Sequence, residues 1–237
     1  EFDEATKQLK QVISRDSQNG LAYKLLGTAY AMFNHEDEAV RELTRASEIL
    51  PEDPEVHLNL GGVFMLQDMY ESAARCFRKV VEIDPMDRLG YANLAAAYDM
   101  DKKYDEEIQA LKKILMFTPE DIELRSALST AYFNSENYDE ALTHALCVIE
   151  LDEKDPQAYC NLGSCYSAQN MTDEAVEAFK KATEIDPDYS LPHTNLGSLY
   201  ATIGRIEKAI KEFKLATSMN QSDSLAWMNL YSCYKEV

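Results

Sequence analysis

Apolar residues return along this chain in a fixed order. A Leu precedes a small residue, and an aromatic stands four places after the Leu: Leu26, Gly27 and Tyr30; Leu60, Gly61 and Phe64; Leu94, Ala95 and Tyr98; Leu128, Ser129 and Tyr132; Leu162, Gly163 and Tyr166; Leu196, Gly197 and Tyr200. Each set lies 34 positions beyond the one before. Spacings of three, one and three, as in Tyr159, Leu162, Gly163 and Tyr166, put these residues on one face of a helix. A second series follows each first: Ala5, Ala39, Ala73, Ala141, Ala175 and Ala209, then Leu9, Leu43, Phe77, Leu111, Phe179 and Phe213. It predicts a second helix packed against the first, with the small residues setting how close the two come. Pro51, Pro85, Pro119 and Pro187 mark the loops, and Asp53-Pro54 and Asp155-Pro156 supply an N-cap and a rigid first turn for the next helix.

A fixed period of this size is the mark of stacked helical hairpins. One hairpin cannot cover its own apolar face, so neighbours must stack. Full units are predicted over 20–53, 54–87, 88–121, 122–155, 156–189 and 190–223. Residues 1–19 read as the second helix of an earlier unit and 224–237 as the first helix of a later one. No insertion disturbs the register, so a single array over 1–237 without a linker is expected. Two departures stand out: Glu107 where Ala is the rule, and Ala145 where Leu or Phe is the rule. Glu153 and Gln221 replace the loop Pro.

The fifth unit carries Tyr159, Leu162, Gly163, Tyr166, Ala175, Phe179, Ala182 and Pro187 together, and in this the chain resembles the tetratricopeptide repeat family over essentially its whole length. The resemblance implies an all-α, right-handed superhelical solenoid of stacked helix-turn-helix hairpins, whose first helices line a concave groove.

An Asn recurs beside the Leu at Asn59, Asn93, Asn161, Asn195 and Asn229, with Leu25 and Ala127 filling the slot elsewhere. On a wheel at about 100° per residue it lies roughly 150° from the core direction. An amide offers a donor and an acceptor together and so matches a peptide unit. The row resembles the asparagine ladder in the tetratricopeptide arm of O-linked N-acetylglucosamine transferases, which implies contact with the backbone of an extended ligand. Asn at this position also bonds its neighbours in ordinary repeats of the family, so a structural role stands beside the binding one. Small residues including Ser164 and Ser198 share that face, with apolar Leu21, Met32, Leu66, Leu89, Met100, Leu191 and Leu225. Lys24 holds the position from which chaperone-binding members of the family grip a C-terminal carboxylate. The equivalents are Leu58, Ala92, Ser126, Cys160, Thr194 and Met228, so that clamp is rejected. Candidate ligand-binding residues are therefore Asn59, Asn93, Asn161, Asn195, Asn229, Lys24, Ser164 and Ser198.

A net charge of −19 disfavours nucleic acid and anionic membrane and favours a basic partner or plain solubility. The acids are uneven: 122–155 carries eight against Arg125 and Lys154, whereas 190–223 sets Arg205, Lys208, Lys211 and Lys214 against Glu207, Glu212 and Asp223. Five Cys, without a Cys-x-x-Cys pair, read as free thiols of a reducing compartment, hence a cytoplasmic location. His35, His57, His144 and His193 are scattered, no nucleophile motif or phosphate loop is present, and no apolar run is long enough to span a bilayer. The expectation is a non-catalytic scaffold without metal or cofactor that binds a protein or peptide in its groove. A substrate-recognition arm of a larger enzyme, such as a glycosyltransferase, is the second reading. Self-association through the terminal helices is the third.

Overall fold

The computed structural model describes residues 2–236. They form helices and turns, with no strand among the described residues, as the all-α reading requires. The helices fall into two compact units, residues 1–117 and 118–237. The first unit holds α1 (Phe2–Arg15), α2 (Gly20–Met32), α3 (Glu36–Ile49), α4 (Pro54–Leu66), α5 (Tyr70–Ile83), α6 (Arg88–Met100) and α7 (Tyr104–Leu115). The second holds α8 (Ile122–Asn134), α9 (Tyr138–Leu151), α10 (Pro156–Ala168), α11 (Thr172–Ile185), α12 (Ser190–Thr202), α13 (Ile206–Met219) and α14 (Ser224–Glu236).

Capping explains where the first helices begin. Asn19, Asp53, Asp87, Asp121 and Asp155 each accept a backbone N–H from the first turn of the helix that follows. Asp223 does the same for Ala226. Such caps are worth about 1 kcal/mol apiece. Tyr189 stands in this slot before α12 and makes no side-chain cap; its hydroxyl donates instead to Gln157 Oε1. The turn inside each hairpin needs one left-handed residue, and Asn34, Asp68, Lys102, Glu136, Asn170 and Gly204 supply it at the same 34-residue spacing.

Within a hairpin the two helices touch at the predicted small residue. A Cβ added to Gly163 would lie 2.7 Å from the Phe179 ring, and one added to Gly61 would lie 2.5 Å from Phe77. No side chain fits in either gap. Leu43, Phe77, Phe179 and Phe213 are all buried, each worth about 1.5–3 kcal/mol against exposure. In the α8–α9 hairpin the sizes are exchanged. Ser129 replaces Gly, Ala145 replaces Phe, and both are fully buried. The Ser129 hydroxyl is satisfied by the carbonyl of Ala141 at 2.9 Å. Ala145, anomalous as a sequence position, is thus the partner of an equally unusual Ser129.

Glu107 has no such compensation. It is buried in α7, its Oε2 has no hydrogen-bond partner, and burial, with the nearby Asp99 charge adding, pushes its carboxyl up to about 7.

Candidate functional site

Each first helix keeps a hydroxyl or a small residue one position after the Leu-Gly pair. Thr28, Ser164 and Ser198 donate to the carbonyl four residues back in their own helices, at Lys24, Cys160 and Thr194. That bond fixes the hydroxyl hydrogen and leaves its lone pairs for the neighbouring hairpin. Asn59 Nδ2 donates to Thr28 Oγ1 at 2.9 Å, Asn195 Nδ2 to Ser164 Oγ at 3.3 Å, and Asn229 Nδ2 to Ser198 Oγ at 3.4 Å. The donor lies 31 residues beyond its acceptor in every case. These three Asn therefore sit on seams between consecutive first helices within their own unit, half-buried, with an N–H already engaged. Asn59 and Asn229 each keep a second hydrogen and a carbonyl oxygen, whereas Asn195 Nδ2 also donates to Cys160 Sγ at 3.5 Å and keeps its carbonyl oxygen.

Two members of the row differ, each for a local reason. The residue 31 before Asn93 is Gly62, which has no hydroxyl to offer. A Cβ built on Gly62 meets nothing within 4 Å, so the surface is open there. Asn161 is turned toward its own helix. Its Oδ1 accepts from Gln157 Nε2 at 2.8 Å, and Gln157 in turn accepts from Tyr189. Asn161 Nδ2 is buried without a hydrogen-bond partner. It borders a small cavity of about 50 Å³ lined by Thr130, Phe133, Asn161 and Ser164.

Open hollows flank the bonded amides. In the first unit a hollow of about 400 Å³ is lined by Met32, Leu58, Asn59, Gly62, Leu66 and neighbours. In the second, one of about 240 Å³ is lined by Phe133, Ser164, Asn195, Ser198, Thr202 and neighbours. Met32, Leu66 and Met100 are exposed at the ends of α2, α4 and α6, one hairpin apart. A larger hollow of about 610 Å³ lies on the opposite face of α10, between Tyr159, Leu162 and Tyr166 and the charged side chains of α11.

Lys24 is not a free cation on this face. Its ammonium bonds Asp53 at 2.9 Å and Glu55 at 2.7 Å, tying the first full hairpin to the second. Those contacts, Glu55 first, raise the Lys24 pKa. Burial pushes the Asp53 carboxyl up, but the Lys24 ammonium and the backbone N–H groups of Glu55 and Val56 outweigh it, and the net shift is downward. The sequence showed Lys24 as an isolated cation because its partners lie 29 and 31 residues away.

The Cys residues are free, and Cys160, Cys165 and Cys233 are buried. Burial pushes the Cys160 thiol up to about 12 and Cys76 and Cys165 up to about 11, so these thiols stay protonated and unreactive at neutral pH. Among the described residues, no group of three His, Cys, Asp or Glu side chains is placed to hold a metal ion, and no helix is long and apolar enough to cross a membrane.

Comparison with known proteins follows the same lines. Four models described as tetratricopeptide repeat match residues 1–60, 54–86, 156–189 and 178–211. A search of curated protein sequences returned no match. Among solved structures, MamA is similar with a TM-score of 0.63 at 23% identity, covering 72% of this chain and 93% of MamA. YrrB, described as a tetratricopeptide repeat protein with an unusual peptide-binding site, is similar with a TM-score of 0.55 at 26% identity, covering 82% of this chain and 98% of YrrB. The C-terminal part of a tetratricopeptide repeat-containing protein from Cytophaga hutchinsonii gives a TM-score of 0.69 at 17% identity over 97% of this chain and 94% of that one.

Proposed function

The chain belongs to the tetratricopeptide repeat family, and from that premise we propose that it is a non-catalytic scaffold holding an extended segment of a partner protein against its first helices. The observation that carries this reading is the half-buried Asn row with hollows beside it. Asn59 and Asn195 each line a hollow while one N–H is held by a hydroxyl of the preceding hairpin. An amide locked in this way loses little rotamer freedom when a ligand arrives, so the donor and acceptor left at Asn59 and the acceptor left at Asn195 are preorganised for a peptide unit. The exposed Met32, Leu66 and Met100 favour apolar ligand side chains in the first unit. The description of YrrB as peptide-binding supports the same class of ligand.

The likeness to the ladder of O-linked N-acetylglucosamine transferases enters here as a mode of contact. The present row departs from a uniform ladder at Asn93 and Asn161. Ser164 and Ser198 act as orienters of Asn195 and Asn229, and Lys24 aligns two hairpins.

The test is affinity capture from native lysate with mass spectrometry, comparing wild type with an Asn161→Ala, Asn195→Ala double variant. Partners captured by the wild type should fall at least several-fold while helicity by circular dichroism persists. Unchanged capture by a folded double variant would remove the Asn row from recognition.

A further inference from the structure

The tyrosine four places after the repeated Leu draws a cation from the chain itself. The Lys10 ammonium lies 5.5 Å from the Tyr30 ring centre, and that of Lys214 lies 5.5 Å from Tyr234. Arg78 donates to the Tyr98 hydroxyl at 2.8 Å. In these three pairs the cation stands 20 residues before the tyrosine, on the second helix of the preceding hairpin. Tyr200 is served from its own hairpin: the ammonium of Lys208, eight residues on, lies 5.5 Å from its ring centre. Tyr132 stacks with His144. A cation this near a ring is held by the negative charge of the ring face.

Tyr166 is the exception. The residue 20 before it is Leu146, and the residue eight after it is Glu174. Both positions that supply a cation elsewhere hold groups that cannot, and among the described residues no cation sits on the Tyr166 ring. The ring is half-buried, whereas Tyr30, Tyr98, Tyr132 and Tyr200 are buried. It borders the hollow of about 610 Å³, which Tyr159, Leu162 and Ala178 also line. One hairpin later, Glu212 replaces Ala178, His193 replaces Tyr159, and the two bond at 2.8 Å; here that internal pair is missing and the space is open. The charged lining comes from α11. Lys181 is taken up by Glu184 at 3.6 Å. Glu174 and Glu177 make no ion pair among the described residues, and Lys180 is the one ammonium beside them.

We propose that this hollow takes a basic side chain, Arg or Lys, of a partner protein. Its charged head lies over Tyr166 beside Glu174 and Glu177, and its apolar stem lies against Leu162 and Ala178. The partner supplies from outside the contact that Lys10, Arg78, Lys208 and Lys214 supply from within. The hollow is far larger than a bare ammonium and has an apolar lining, which fits a cation carried on a side chain. The site lies on the opposite face of α10 from the open hollows beside the Asn row, so it stands or falls independently of binding there.

The probe is the peptide acetyl-Gly-Ala-Arg-Ala-Gly-amide, titrated into the whole chain and followed by NMR amide shifts of α10 and α11. Its citrulline counterpart keeps the shape and loses the charge. The Arg peptide should bind about tenfold tighter than the citrulline peptide, and added salt should weaken it. Leu146→Lys restores a cation 20 residues before Tyr166 at a position that is 38% exposed. By occupying the ring from within, it should weaken the Arg peptide about tenfold. Glu174→Lys, which copies Lys208, should do the same. Equal binding of the two peptides, or an affinity that both variants leave unchanged, overturns the proposal. So does methylguanidinium binding as tightly as the Arg peptide, because the occupant would then be a free small cation.

Discussion

At position 102 a Lys holds φ at +57°, and at position 136 a Glu holds φ at +63°. The left-handed region costs an ordinary L residue about 1–2 kcal/mol, of which glycine's extra chain entropy gives back part. Lys102→Gly and Glu136→Gly should each stabilise the fold by about 0.5–1 kcal/mol in urea unfolding. Gly204→Ala, at the equivalent turn, should destabilise it. Glu107 has its effect through pH. Its carboxyl titrates near 4.5 when free and is pushed up to about 7 in the folded chain. The folded state therefore holds the proton more tightly, and the associated stability is full below 4.5 and lost as pH rises through 7. The unfolding free energy of wild type relative to Glu107→Gln should fall by roughly 3 kcal/mol between pH 4.5 and 8. A flat difference across that range would show that Glu107 finds a partner or water in solution.

Between elements, the size exchange at Ser129 and Ala145 makes a double-mutant cycle informative. Ala145→Phe alone overpacks the α8–α9 contact and should cost about 1–3 kcal/mol. Ser129→Gly alone leaves a gap and removes the bond to Ala141. The double variant restores the pairing of Gly163 with Phe179, so it should be more stable than the sum of the singles predicts. Gly62 poses a different question. No atom would crowd its Cβ, and Gly in a helix interior costs up to about 1 kcal/mol against Ala. Gly62→Ser should therefore raise the melting temperature, and it places a hydroxyl where Asn93 can use it. If the open surface at Gly62 admits the ligand backbone, the same variant should weaken capture while it stabilises the fold.

For the molecule as a whole, a net charge of −19 means self-repulsion. Moderate salt should raise the unfolding midpoint by screening it. Capture through the Asn row should respond weakly to the same salt, because neutral amides and apolar side chains carry it. A partner held on the acids of 122–155 should respond strongly. One salt titration of captured partners therefore sorts them by the surface they use.

The sequence by itself determined the all-helical class, the hairpin register, the caps at Asp53 and Asp155 and the need for a small residue at each crossing. Those features are local or repeat at a fixed interval, so a single chain displays them many times over. Only the tertiary structure decided where the amides point. The Asn59 donor and its Thr28 acceptor lie 31 residues apart and meet only when two hairpins stack. It also decided that Lys24 is an ion pair and that Ala145 answers Ser129. The difference is one of range: a periodic pattern reveals what each residue does within its own hairpin, whereas a hydrogen bond across a seam depends on which neighbour the stacking brings to it.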